Sequence, residues 1–242
     1  MCMVFKAVVF DLDGTLTTFN VDYRTVRAEV RSLLINAASV PASTISSNES
    51  IFEMLKKAEI FMTNAGKSKE AFFTIRRKAL EIAEKHELEA AGKTDLLPGV
   101  AETLKTIKRM GLKMGLCTIN SKSSTHYILN RFKLANYFDA VVSRDSIRNV
   151  KPNVEHLQAV LMNMGIEPSE TVVVGDGAND MKCAHELKTV AVGLVTGFSS
   201  KRDLVDAGAN YVITAITDLP ALIESLNNLN NNYYSTSIYF RT

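Results

Sequence analysis

Two carboxylates two positions apart, Asp11 and Asp13, stand where an apolar run ends: Val8-Val9-Phe10-Asp11-Leu12-Asp13-Gly14-Thr15-Leu16. Residues 4–10 read as a buried strand. A strand that stops at a polar cluster puts that cluster at the carboxyl edge of its sheet, where open α/β folds hold their sites. Side chains two apart share one face of an extended chain, and a turn beginning at Gly14 keeps both acids aimed into one crevice. Crowded carboxylates repel, so such a pair shares a proton or binds a cation. The same residues also suit an Asx-type turn that merely closes a strand. A second acidic group ends another apolar run, Val172-Val173-Val174-Gly175-Asp176-Gly177-Ala178-Asn179-Asp180, where the structural alternative is an aspartate capping a helix.

These groups need a sheet to position them, and the hydrophobic pattern predicts one. After Leu16 the period becomes helical. Val26, Val30, Leu33, Leu34 and Ala37 share one face of a helix, and Ile51, Leu55, Ala58 and Met62 share another that Gly66 closes. Between them the polar, Pro-interrupted residues 38–50 form a loop ending in N-cap candidates. A third helix covers 69–91, with Phe72, Ile75, Ala79 and Ile82 inward and Gly92 as its stop. From residue 97 onward strands at 112–118, 140–143, 171–175, 190–194 and 210–213 alternate with helices. The helices begin at 100, 123, 154, near 180, at 201 and at 219, the last ending near 226. That alternation implies right-handed crossovers and an α/β fold with a doubly wound parallel sheet. The expected division is a Rossmann-like core of residues 1–18 and 93–226 and an inserted all-helical domain of 19–92. Leu16-Thr17-Thr18 and residues 95–99 are the linkers, and the Asn-rich 227–242 is expected to be a disordered tail.

Asp11-Leu12-Asp13-Gly14-Thr15 resembles the first motif of the haloacid dehalogenase-like hydrolases, most of which are Mg²⁺-dependent phosphatases forming an aspartyl phosphate. Three more motifs follow in the family's order. Leu116-Cys117-Thr118-Ile119-Asn120-Ser121 resembles the second, Lys151-Pro152 the third, and Gly175-Asp176 through Asp180 the fourth. The resemblance covers the core, and the helical insertion has the position and length of the small cap of phosphoglycolate-phosphatase-like members. It implies Asp11 as nucleophile and Asp13 as general acid and base. It implies a phosphate site from Leu12, Gly14, Thr118, Ile119, Asn120 and Lys151. It implies Mg²⁺ held by Asp11, the Asp13 backbone oxygen, Asp176 and, directly or through water, Asp180. Such a set answers a physical obstacle, because a carboxylate nucleophile and phosphoryl oxygens are both anionic and need fixed cations and donors between them. Aspartate two positions after the nucleophile is similar to phosphatases and phosphomutases, and unlike the dehalogenases and phosphonatases. The implied substrate is a small phosphorylated metabolite: phosphoglycolate, a sugar phosphate or a nucleotide monophosphate. A sugar phosphomutase and a non-catalytic, receiver-like phosphate-binding module are the alternatives. Arg24, Arg27 and Arg31 are substrate contacts or a solvated helix face.

Composition sets the partners. The 242 residues carry 28 basic and 26 acidic side chains, interspersed, for a net charge of +2, which points to neither nucleic acid nor a membrane surface. No apolar run approaches the roughly 20 residues that span a bilayer, and no signal peptide is expected ahead of the first strand. A cytoplasmic monomer or homodimer is expected. Cys2, Cys117 and Cys183 lack metal or disulfide spacing and read as free thiols. His86, His126, His156 and His185 lack metal spacing and read as ordinary core or surface residues.

Overall fold

A computed structural model describes residues 5–197 and 199–238. The chain divides into two compact units, Met1–Phe19 with Thr94–Thr242, and Asn20–Lys93.

The first unit is built on six parallel strands: β1 (Ala7–Phe10), β2 (Lys113–Cys117), β3 (Ala140–Val142), β4 (Thr171–Gly175), β5 (Val190–Leu194) and β6 (Tyr211–Ile213). Their order in space is β3-β2-β1-β4-β5-β6. The chain moves outward from β1 to β3, then returns to β1's other side to lay down β4. The crossing makes a topological switch point between β1 and β4, and a crevice opens there at the strands' carboxyl ends. Residues of β1 are buried on both faces. Ala7 and Val9 join Leu157, Val160 and Met181 in one cluster. Val8 and Phe10 point the opposite way, as the period of two requires, and the Phe10 ring meets that of Phe138 edge-on at 6.4 Å.

The helices of this unit are α4 (Val100–Arg109), α5 (Lys122–Arg131), α6 (Val154–Met164), α7 (Ala178–Glu186), α8 (Lys201–Asp206) and α9 (Leu219–Ile238). The second unit holds α1 (Tyr23–Ala38), α2 (Ile51–Asn64) and α3 (Lys69–Ala91). Three elements differ from expectation. β1 begins at Ala7, and Val4 lies outside the described residues. α7 begins at Ala178, so Asp180 is its third residue and not its start. α9 continues through 227–238, where a disordered tail was expected. Asn227 accepts the Phe5 N–H at 3.0 Å, which ties the helix to the chain entering β1. Asparagine costs a helix only tenths of a kcal/mol, so a helix anchored by buried Leu219 and Ile223 carries on through it. Residues 239–242 of that tail, and Cys2, lie outside the described residues. Among those residues Cys117 and Cys183 are free and buried, and no helix is long and apolar enough to cross a membrane.

In the second unit Val26, Val30, Leu34, Met54, Ala58 and Phe72 share one core. The α1 stripe ends on buried Ala38, with the expected Ala37 exposed; in α3 the expected Ile82 packs partly buried against the core, and the buried stripe runs on through Ala83 to Ala90. Ser50 closes a capping box with Glu53, as the loop's polar end predicts. Arg31 donates to the Ile45 and Ala42 carbonyls at 3.0 and 2.9 Å. Its guanidinium therefore pins the 38–50 loop. The linkers of the first unit lie side by side: Thr18 N–H donates to Asp95 O at 2.8 Å and Leu97 N–H to Leu16 O at 3.0 Å.

Gly115 of β2 lets α6 approach the sheet, since a Cβ there would lie 2.4 Å from Val160 Cγ1. Gly115→Ala must push α6 outward. It is expected to cost about 1–3 kcal/mol, measured as a lower urea midpoint; an unchanged midpoint would show that α6 does not rest on this contact.

Candidate active site

Asp11 directly follows β1, and its N–H donates to Val174 O at 2.9 Å, continuing the β1–β4 ladder one residue past the strand. The chain then turns. The Leu12 carbonyl accepts from the N–H groups of Leu16 and Thr17 at 2.8 and 3.0 Å, and Gly14 N–H donates to Thr17 O at 2.7 Å. Gly14 sits at φ +79°, and a Cβ on it would lie 2.4 Å from Asp176 Oδ2. Only glycine both adopts that φ freely and leaves this carboxylate in place. Leu12 is fully buried. In this geometry Leu12 and Gly14 shape the turn, and Thr15 Oγ1, 3.1 Å from Asp176 Oδ1, joins the two loops.

Lys151, almost fully buried, reaches into the switch-point crevice from the segment before α6. Its Nζ lies 2.8 Å from Asp11 Oδ1, 2.8 Å from the Cys117 carbonyl and 2.5 Å from Asp180 Oδ1. Three ammonium hydrogens thus meet three acceptors. Burial works to lower the lysine pKa, and Asp11 and Asp180 overcome it, holding Lys151 well above the usual lysine range. It is a permanent cation.

Asp176 and Asp180 come from β4's end and α7's first turn. Asp180 Oδ2 accepts the Gly177 N–H at 3.2 Å. Burial, then Asp11 and Asp180, push the Asp176 pKa up to about 8. Burial raises that of Asp180 to about 6, with Lys151 pulling the other way. Oxygens of Asp11, Asp176 and Asp180 all lie within 4.8 Å of one another. Three carboxylates face one ammonium, and hard, converging oxygens with excess negative charge fit a small divalent cation such as Mg²⁺.

Asp13 is placed differently. Its Oδ1 accepts from Thr17 Oγ1 at 3.1 Å and its Oδ2 from Asn120 Nδ2 at 2.8 Å. Thr118, Ile119 and Asn120 follow β2. Thr118 N–H donates to Val142 O at 3.1 Å, and its Oγ1 accepts the Asn120 N–H at 3.2 Å, which leaves its hydroxyl hydrogen for another acceptor. Asn120 is buried, and its Oδ1 has no hydrogen-bond partner among the described residues. Sequence reading missed Arg144, which is buried and braces this loop. Its guanidinium donates to Ile119 O at 3.1 Å and its N–H to Asn120 O at 3.2 Å. No local pattern marks such a residue, because both partners lie on another loop.

The raised acids predict a pH dependence. Asp176 and Asp180 bind protons more tightly folded than unfolded, where a carboxyl titrates near 3.9. Between about pH 4 and 8 the native state holds more protons, so these groups make the metal-free protein less stable as pH rises. A cation must displace those protons. Mg²⁺ should therefore raise the melting temperature more at pH 8 than at pH 5, and less so in Asp176→Asn. An equal or larger rise at pH 5 would contradict the shared-proton picture.

Comparison with known proteins agrees with this geometry. The family model described as haloacid dehalogenase-like hydrolase matches residues 5–187. Phosphoglycolate phosphatase 1 of Pseudomonas aeruginosa is 29% identical over 232 residues, spanning 88% of this chain and 78% of that protein. Phosphoglycolate phosphatase of Nitrosospira multiformis is 27% identical over 222 residues, 90% of this chain and 96% of that one. The crystal structure of a hydrolase from Pseudomonas syringae aligns with a TM-score of 0.63 at 23% identity, covering 91% of this chain and 98% of its own; that likeness speaks to the fold. With four motifs converging on one sheet edge and the family model matched across most of its length, the chain belongs to the haloacid dehalogenase-like hydrolases.

Proposed function

We propose that this hydrolase is a Mg²⁺-dependent phosphomonoesterase acting on a small phosphorylated metabolite, with phosphoglycolate the first substrate to test. The observation that carries the reading is Lys151 Nζ lying between Asp11 and Asp180 at 2.8 and 2.5 Å, beside an acidic trio able to hold a cation. The relatives named phosphoglycolate phosphatase support the choice of substrate. In the same reading residues 1–18 and 93–226 are the catalytic core and 19–92 the helical cap.

Asp11 attacks phosphorus as the carboxylate. The new Asp11 O–P bond forms as the ester P–O bond breaks, and Asp13 gives its proton to the leaving alkoxide. Thr17 and Asn120 hold Asp13 for that transfer. Water then attacks the aspartyl phosphate, Asp13 takes back a proton, and the Asp11 O–P bond breaks to release phosphate. Lys151 offsets the repulsion between nucleophile and phosphoryl oxygens throughout, and Thr118 and Asn120 supply neutral donors. Asp11, the Asp13 backbone oxygen, Asp176 and, directly or through water, Asp180 would hold Mg²⁺, which when bound would neutralise charge on the phosphoryl group.

The test is phosphate release from a panel of phosphoglycolate, sugar phosphates and nucleotide monophosphates, with and without Mg²⁺. Wild type should release phosphate only with the metal, and Asp11→Asn should lose more than about 10³-fold in rate. Equal turnover by the variant would remove Asp11 as nucleophile. Isomerised sugar phosphate in place of free phosphate would make the protein a phosphomutase.

A further inference from the structure

The side chain of Lys151 is fixed at its tip by three acceptors, and its backbone is fixed by a residue outside every motif. His156, the third residue of α6, is fully buried. Its Nδ1 lies 3.4 Å from the Lys151 N–H nitrogen, and its Nε2 lies 3.1 Å from the Val142 carbonyl. An amide N–H can only donate, so Nδ1 carries no hydrogen; a carbonyl can only accept, so Nε2 carries one. The contacts thus select one neutral tautomer. Electrostatics agree: burial first, then the Lys151 charge, push the His156 pKa down to about 3, although the Val142 carbonyl and Glu155 pull upward. The positive end of α6 also disfavours an imidazolium there.

Val142 O has a second donor. It accepts the Thr118 N–H at 3.1 Å, so one carbonyl at the end of β3 anchors Thr118 directly and Lys151 through the imidazole. We propose that His156 is a positioning residue: as the Nε2-protonated imidazole it bridges Lys151 N–H to Val142 O and so fixes the lysine relative to Thr118. An apolar side chain of similar size would leave the Lys151 N–H buried without its partner. The freed backbone would displace an ammonium whose three contacts require close placement, and small displacements at a reacting centre are costly in rate. The kinetic consequence rests on the phosphomonoesterase reading; the tautomer does not.

Two measurements test this. With the best ester of the panel and Mg²⁺, His156→Leu should lose about 10-fold or more in kcat with little change in KM. His156→Asn should recover most of the loss, because its Oδ1 takes the place of Nδ1 as acceptor. Wild-type kcat in the leucine variant, or kcat falling in step with Tm through both variants, would reduce His156 to a packing residue. Independently, ¹⁵N spectra of the wild type between pH 5 and 8 should show an unprotonated Nδ1 and a protonated Nε2 that do not titrate. An imidazolium, or a proton on Nδ1, would overturn the bridge. Should wild type turn over no ester, the phosphomonoesterase reading fails, and the imidazole signals alone decide how Lys151 is held.

Discussion

The site depends on one buried ammonium. Asp11, Asp176 and Asp180 bring carboxylate oxygens within 4.8 Å of one another, in a place that water reaches poorly. At an effective dielectric near 20, two full charges about 4 Å apart repel by about 4 kcal/mol. Lys151 contacts two of the three acids and offsets part of this. Burial first, and then the repulsion that remains, raises the pKa values of Asp176 and Asp180. The cluster relieves its excess negative charge by holding protons, and a divalent cation would relieve it in another way. The same property that makes the site costly to fold makes it a receptor for a cation.

The sheet explains why these groups meet at all. Parallel strands deliver every carboxyl end to one edge, and the reversal of order at β1 and β4 leaves that edge open between the two central strands. Asp11 leaves β1, Asp176 leaves β4, and the Cys117 carbonyl that takes the third lysine hydrogen closes β2. Val142 at the end of β3 holds Thr118. Four strand ends thus each supply one fixed point, and the connecting loops need supply only reach.

Much of this was legible in the sequence because it is written in local patterns. Apolar runs gave all six strands to within a few residues, and Asp11 and Asp176 stood out because charge follows such runs abruptly. Lys151 was legible only by its place in an ordered series, since a lysine before a helix is otherwise unremarkable. What escaped was contact between distant segments. The bonds from Asn120 to Asp13, Thr15 to Asp176 and Arg144 to Ile119 join residues on separate loops, and no periodicity encodes them. Arg31 is a related case: a basic residue invites a substrate, and here its hydrogen bonds run to the carbonyls of its own loop. His156 lacked metal spacing, and spacing says nothing about two backbone groups meeting its ring. The helix through the asparagines was missed because composition weighs residues singly, whereas a helix is a cooperative object that an anchored stretch can extend.

Asp180 shows that structural and chemical readings of one residue need not compete. An aspartate near the start of a helix is a cap by propensity, and Asp180 does accept an N–H of the first turn through Oδ2. Its other oxygen meets Lys151. The helix start therefore fixes the carboxylate whose remaining oxygen completes the lysine's shell, and local stability and site geometry are set by one rotamer. Asp176 is engaged differently, its Oδ1 receiving the Thr15 hydroxyl, a neutral donor that orients without supplying charge. Asp180 thus has a full cation beside it already, while the Thr15 hydroxyl on Asp176 brings no charge, and burial with its acidic neighbours raises the Asp176 pKa. A metal ion gains more from the acid least neutralised by the protein. In the proposed reading, that asymmetry would make Asp176 the direct ligand and leave Asp180 to act directly or through water.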